Sequence, residues 1–243
     1  MTFQEVLPGL WRVGTAITNV FVLKPADSDE LTLIDAGTAS FADEIVQASK
    51  KLGQITNIIV THAHLDHTGG LAGVVAQTGA KVWMHPEDAA LVTQGRWARP
   101  YTPAPTVLGQ LATRLYINQQ PKYIAPVSNI QHVSDGDVLP FAGGLDVYHM
   151  PGHSAGQIAL GWSSPTGQRV LFAADVCLNL LGLTEPFLYE DRPLGLQSIR
   201  RFAELTKQAD VVLFQHGKAL NAPELHTQFT RFERRYVRAA HVV

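Results

Sequence analysis

The sequence predicts an α/β fold, a sheet sandwich covered by helices. Three observations predict it. Strand-like segments arrive in groups before the helix-like ones, which suits a covered sheet sandwich better than a doubly wound sheet. Two apolar strands, LTLID at 31–35 and RVLFAAD at 169–175, each end in Asp, a faint echo between the two halves. The 243 residues show no linker and no tandem repeat, so one domain over 1–243 is expected.

Taken in order, residues 10–14 (LWRVG), 17–24 (ITNVFVLK) and 31–35 read as short strands, separated by turn-formers such as Pro25-Ala26-Asp27-Ser28-Asp29. The segment SFADEIVQASKKLG reads as a helix with Ser40 as N-cap and Gly53 as its stop. NIIV at 57–60 is a buried strand running into THAHLDHTGG. A helix over about 66–78 and the strand KVWM at 81–84 follow. Residues 86–120 carry helix-like stretches around a break at Arg99-Pro100-Tyr101-Thr102-Pro103-Ala104-Pro105. Strands return as IQHV, LDVYHM, QIALGW and RVLFAAD. A helix near 195–208, the strand VVLF at 211–214 and a helix near 223–240 close the chain.

Composition narrows the function. Apolar residues make up 46% and charged residues 16%, which is ordinary for a globular chain and lacks a disorder signature. The formal net charge of −2 and the lack of long Lys or Arg runs argue against a nucleic-acid partner. Arg231, Arg234, Arg235 and Arg238 read as a solvated helix face. Cys177 is the only cysteine, so no intrachain disulfide forms. MTFQEVLPGLW has no basic leader followed by an apolar stretch, and no apolar run approaches the ~18 residues of a membrane helix. The expectation is a soluble cytoplasmic protein with a small-molecule substrate, no membrane partner, and a homodimer left open.

The strongest chemical signal is His62-Ala63-His64-Leu65-Asp66-His67. In an extended segment His62 and His64 point the same way, and a helix starting there turns Asp66 and His67 toward the same side. Imidazole and carboxylate together suit zinc or a similar borderline metal. Shuffling ten His and twelve Asp through this chain would give HxHxDH roughly 0.001 times, so chance is a poor explanation. A rigid site needs partners from other segments, and three follow strands: His153 in Met150-Pro151-Gly152-His153-Ser154-Ala155-Gly156, Asp175 at the end of RVLFAAD, and His216 in Gln215-His216-Gly217. His85 and His149 read as satisfied core groups or as neighbours supporting the site. His132, His226 and His241 carry no signal. Cys177 lies two residues past Asp175 and reads as a buried small hydrophobe.

These blocks, in the order LTLIDAG, THAHLDHTGG, MPGHSAGQ, LFAAD and FQHG, resemble the metallo-β-lactamase superfamily in its binuclear branch, which includes glyoxalase II and lactonases. The resemblance runs from about residue 10 to 220. It implies the αββα sandwich of that fold and two divalent metal ions, zinc first, with iron or manganese as alternatives. His62, His64 and His153 would hold one ion and Asp66, His67 and His216 the other, with Asp175 and a water or hydroxide between them. Asp66 would also orient the nucleophile, making it the catalytic residue. Asp35 would orient the ligand loops by hydrogen bonds, a turn-capping role being equally open. The implied reaction is hydroxide attack on a carbonyl carbon or on phosphorus.

The resemblance also sorts substrates. Dedicated β-lactamases of this fold usually lack Asp at the position of Asp175, which disfavours that activity beyond a promiscuous one. The flavin-dependent di-iron relatives carry Glu where His64 stands. Only about 27 residues follow His216, short of the helical portion that glyoxalase II uses for glutathione. No basic arm of the RNA-processing phosphodiesterases is visible. An ester, lactone or thioester of a small molecule is the expectation. A mononuclear iron persulfide dioxygenase and a non-catalytic binding protein are the alternatives from other classes. Residues 93–124, with Trp97, Tyr101, Leu108, Leu111, Leu115 and Tyr116, are expected to form a lid over the metals, helices packed on the core or in a dimer interface being the alternative. Trp97, Tyr101, Phe187 and Tyr189 are the candidate substrate-binding residues, Tyr189 standing further from Asp175 than the proton donor of lactonases.

Overall fold

An antiparallel meander opens the chain in the computed structural model, which describes residues 2–15 and 17–239, with the side chains of 236–239 outside that description. Its strands are β1 (Thr2–Leu7), β2 (Leu10–Gly14), β3 (Asn19–Leu23) and β4 (Glu30–Ile34). Parallel crossovers follow through α1 (Ala42–Ser49), β5 (Gln54–Ile59), α2 (Leu65–Thr68), α3 (Leu71–Thr78), β6 (Lys81–Met84) and α4 (Pro86–Thr93). After β7 (Thr102–Pro103) and α5 (Val107–Leu115), β8 (Gln131–His132) completes a sheet ordered β1-β2-β3-β4-β5-β6-β8.

The second half repeats the plan. Strands β9 (Val138–Leu139), β10 (Leu145–His149), β11 (Ile158–Ser163) and β12 (Arg169–Phe172) run antiparallel. Then come β13 (Leu188–Tyr189), α6 (Arg192–Thr206), β14 (Val211–Leu213), β15 (Leu220–Asn221) and α7 (Glu224–Ala239). The second sheet is ordered β15-β14-β12-β11-β10-β9, with β14 parallel to β12. β13 leaves it to pair with β7.

Side-chain alternation makes this a sandwich. Phe21 and Leu23 of β3 face Leu160, Phe172 and Leu213 in a central layer, while Val20 and Val22 point outward toward Ile45 of α1 and Val74 of α3. On the far sheet, Ala159, Leu171 and Val212 point outward under Ile199 and Phe202 of α6 and Phe229 of α7. Both sheets are thus buried on two faces, which explains why Leu31, Leu33 and Ile34 of β4 and Val170, Leu171 and Phe172 of β12 are all buried and apolar. The architecture is the αββα sandwich.

Local differences from the sequence reading have physical reasons. Ser40 does not cap α1: a 3-10 turn over Ala39–Phe41 precedes the helix, and the Ser40 hydroxyl lies 3.0 Å from that of Thr38. The helix expected over 66–78 divides into α2 and α3 at Gly69-Gly70. β1 escaped notice because it is a largely exposed edge strand without apolar alternation. Arg231, Arg234 and Arg235 are exposed on α7 as expected, whereas the Arg238 side chain and all of His241 lie outside the described residues. Among the described residues no helix is long and apolar enough to cross a membrane.

The central layer predicts a mutational cost. Phe21 and Phe172 are fully buried and meet edge to face, 5.3 Å between ring centroids. Phe21→Ala should lower unfolding free energy by about 3–5 kcal/mol in urea, whereas a loss below about 1 kcal/mol would show that the two sheets do not depend on this contact.

Candidate metal centre

Seven predicted ligand residues arrive from four strand ends or the turns after them. β5 delivers the extended run that carries His62 and His64, and α2 begins at once, with His64 as its N-cap residue and Asp66 and His67 in its single turn. The β10–β11 turn carries His153. β12 is followed by Asp175, and β14 by His216. Close approaches hold this arrangement: Gly152 (φ 129°) lies so near the start of α6 that a Cβ there would stand 2.1 Å from the Gly195 nitrogen. Two non-glycine residues with positive φ sit at the ends of β4 and β12, Asp35 (62°) and Ala174 (47°), where strained backbone tends to mark function.

The seven side chains converge. Ligand-type atoms fall into three sets, each within 4.8 Å: His62, His64 and His153; His62, His67 and Asp175; and Asp66, His67 and His216. Asp175 stands between the outer two. Its Oδ2 lies 3.4 Å from His153 Nε2, and its Oδ1 lies 3.6 Å from His67 Nε2 and 3.5 Å from His216 Nε2. Asp66 Oδ2 lies 3.1 Å from His216 Nε2.

The far sides of four rings are anchored. His67 Nδ1 donates to Asp35 Oδ2 (3.0 Å), His153 Nδ1 to the Leu188 carbonyl (2.9 Å) and His216 Nδ1 to the Ile17 carbonyl (2.9 Å). The Thr61 hydroxyl donates to Asp35 (2.9 Å), so its oxygen accepts from His62 Nδ1 (3.1 Å). A proton fixed on Nδ1 turns the Nε2 lone pair inward. Asp35 therefore serves the His62 and His67 loops, accepting also from the Thr61 amide (2.8 Å).

The inward atoms lack partners. Nε2 of His62, His64, His67 and His153 and Oδ1 of Asp175 are buried without a hydrogen bond. Orphaned buried polar atoms are costly, and several aimed at one another form a nitrogen–oxygen donor set that fits divalent metal ions. Protonation follows position. Burial, joined by neighbouring histidines, pushes His62 well below the ordinary range and His64 and His153 down to about 3. Burial opposes charge on His67 too, but Asp35, Asp66 and Asp175 outweigh it and raise that imidazole to about 9. His216 rises to about 10, burial being outweighed by Asp175 and Asp66. Asp66 is held below the usual carboxylate range, against burial, by His67 and His216.

A cavity opens onto these groups, lined by Thr38, His64, Leu65, Asp66, Trp97, Tyr116, Ile117, Gln120, His153, Phe187 and Leu188. Residues 93–124 do wall it, through Trp97 edge-on to His64 and the turn after α5. Of the four candidate substrate residues, Trp97 and Phe187 line the cavity and two do not. Tyr101 stands behind Trp97, its hydroxyl donating to Asn118 (3.0 Å). Tyr189 is buried with its hydroxyl on Glu185 (3.1 Å), because alternation along β13 turns Leu188 to the cavity and Tyr189 away from it. Leu108, Leu111 and Leu115 face solvent, while Gly109 and Thr113 form the inner face of α5. Cys177 is fully buried, with its thiol pushed well up by burial.

Several supporting residues were missed. Asp88, fully buried at the start of α4, accepts bonds from both ligand loops. Asn19 donates to the Phe214 and Gly217 carbonyls (2.8 and 2.9 Å) and so frames His216. A polar residue beside a strand or in a first helical turn has many ordinary roles, so neither gave a signal in the sequence. His149 matches its expected supporting role, with Nε2 donating to the Ala155 carbonyl (2.8 Å) and its ring stacked on His85.

Comparison with known proteins agrees with this geometry. The family model described as "Metallo-beta-lactamase superfamily" matches residues 13–216. A Bacillus subtilis protein described as "Probable metallo-hydrolase YflN" is 27% identical over 95% of this chain and 92% of its own. A hydroxyacylglutathione hydrolase of Albidiferax ferrireducens is 38% identical, but over only 28% of this chain and 26% of its own. Among solved structures, a B3 metallo-β-lactamase with an active-site glutamic acid superposes with a TM-score of 0.73 at 20% identity, covering 98% of this chain and 90% of that one. At that identity the likeness concerns the fold.

The protonation pattern predicts how metal enters. His67 and His216 are raised to about 9 and 10, so each holds a proton at neutrality that a cation must displace. Adding zinc to metal-free protein in weak buffer at about pH 7 should release about two protons per chain, and apparent affinity should rise with pH up to about 10. A pH-stat trace without proton release would contradict this assignment.

Proposed function

Because this chain belongs to the metallo-β-lactamase superfamily, we propose that it is a binuclear metal-dependent hydrolase that opens an ester, lactone or thioester bond of a small molecule. Membership supports a metallo-hydrolase, and the His and Asp clusters supply a site able to hold metal. The observation that carries the binuclear reading is the Asp175 carboxylate, which turns one oxygen toward His153 and the other toward His67 and His216.

In this reading His62, His64 and His153 hold one ion, and Asp66, His67 and His216 the other, with Asp175 shared. Zinc is the first choice of metal in this reading, with iron or manganese as alternatives that the same imidazole and carboxylate set would also accept. Two such cations supply an activated water at neutral pH and a Lewis acid for the substrate oxygen. The chain's own residues do the rest. Asp66 lines the cavity and adjoins His216, so it can bind and also orient the attacking water. Asp35 and Thr61 hold the His62 and His67 rings in register through their Nδ1 protons. Trp97, Ile117, Phe187 and Leu188 exclude water from the apolar side, and Thr38 and Gln120 offer polar handles.

The walls favour acyl compounds over nucleic acid. Among the described residues no Lys or Arg lines the cavity, whereas successive phosphates need cations along their path. The hydroxyacylglutathione hydrolase shares a span of only 28% of this chain, so its substrate is not carried over.

The test compares kcat/KM for a medium-chain lactone, an aryl ester, a thioester, bis(4-nitrophenyl) phosphate and a short RNA. At least one carbonyl substrate should exceed both phosphodiesters by about 100-fold or more, a transition-state difference of about 2.7 kcal/mol. A preference for either phosphodiester would overturn the acyl reading, and Trp97→Ala should then weaken base stacking rather than acyl binding.

A further inference from the structure

Outside the converging ligands lies a second polar cluster, built on the fully buried Asp88. Each carboxylate oxygen accepts two bonds. Oδ2 takes the Ala63 amide (2.9 Å) and the Ser154 hydroxyl (2.6 Å), and Oδ1 takes the Gly156 amide (2.9 Å) and Arg99 Nη1 (2.9 Å). Ala63 separates His62 from His64, and Ser154 and Gly156 follow His153. One side chain thus grips both loops that deliver these three imidazoles.

Arg99 extends the grip. Its Nη1 also reaches Glu190 Oε2 (3.3 Å), and its Nη2 donates to the Glu87 carbonyl. Glu190 closes the ring by accepting from the Ala155 amide (2.8 Å), while its own amide donates to the His153 carbonyl (3.3 Å). The fit is tight, since a Cβ on Gly156 would lie 2.6 Å from the Asp88 nitrogen. Arg99 belongs to the segment that also supplies Trp97, so the cluster joins the cavity wall to the ligand loops.

We propose that Asp88, with Arg99 and Glu190, is a positioning cluster that fixes the spacing of His62, His64 and His153 and thereby sets the metal affinity of that group. The inference rests on reading those three histidines as a ligand group. Only a carboxylate can satisfy four donors at once: an amide in its place turns an NH2 toward two of them. Asparagine keeps the volume and loses the function, which separates positioning from packing.

The experiment is zinc titration of metal-free protein against a chromophoric chelator, for wild type, Asp88→Asn, His153→Ala and the double variant. Asp88→Asn should weaken one zinc affinity by about 10–100-fold and leave the other within about threefold, the range known for groups that orient metal ligands. Added to His153→Ala, it should cost little more, because both changes act on the same ion. Equal weakening of both ions, or full additivity with His153→Ala, would reduce Asp88 to a general structural role and overturn the inference. If Asp88→Asn does not fold, Arg99→Lys carries the test: weakening of one affinity supports the cluster, and wild-type affinities overturn it. A wild-type chain that takes up one zinc would sink the binuclear reading instead, and weaker binding of that ion in Asp88→Asn would still support the cluster.

Discussion

Imidazole and carboxylate groups placed in a shared interior repel or strip one another of water unless something holds their outer edges and something satisfies their inner ones. Here the outer edges are held by the chain itself: Asp35 for His67, Thr61 for His62, the Leu188 carbonyl for His153 and the Ile17 carbonyl for His216. Of the inner atoms, Nε2 of His62, His64, His67 and His153 and Oδ1 of Asp175 stay buried without partners. Two sheets, each covered by helices, let strand ends meet where every strand can end in a ligand and still be braced from behind. Strain at Asp35 and Ala174 and the contact of Gly152 with Gly195 follow from that demand.

The two halves of the centre differ in charge, and the difference has a structural origin. Around His67 and His216 stand three carboxylates, Asp35, Asp66 and Asp175, which favour positive charge there. His62, His64 and His153 are held neutral by burial first and by neighbouring imidazoles second. A neutral, nitrogen-only group and an acidic, mixed group are chemically unequal hosts, and Asp175 joins them. The cavity walls are contributed by Trp97, Ile117 and Phe187, residues whose segments lie outside the ligand blocks, and the proposed substrate preference rests on them.

What the sequence made legible follows from how local each signal is. HxHxDH could be read because alternation in a strand and the first turn of a helix place four groups within six residues, and the fold has that strand and that turn. LTLID and RVLFAAD could be read as buried strands because both faces are apolar. Asp88 could not be read: its partners in the ligand loops lie 25 to 68 residues away along the chain, and nothing in the sequence beside it marks a four-bond carboxylate. Tyr189 misled for a related reason. It was a candidate by likeness to the lactonase tyrosine, although further along the chain from Asp175, but one-residue alternation in β13 gave the cavity to Leu188 and the interior to Tyr189. The outward apolar face of α5 was also invisible, because the helix buries its small residues, Gly109 and Thr113, instead of its leucines.

The claim on which this account turns is that Asp175 joins two ion-binding groups. The measurement is metal content per chain after zinc loading and removal of excess, for wild type, Asp175→Ala and Cys177→Ala. The account predicts two ions in wild type and in Cys177→Ala, whose thiol is buried beside the site and outside the ligand set, and at least one ion fewer in Asp175→Ala. One ion in wild type, or equal loss from the Cys177 and Asp175 variants, would contradict it.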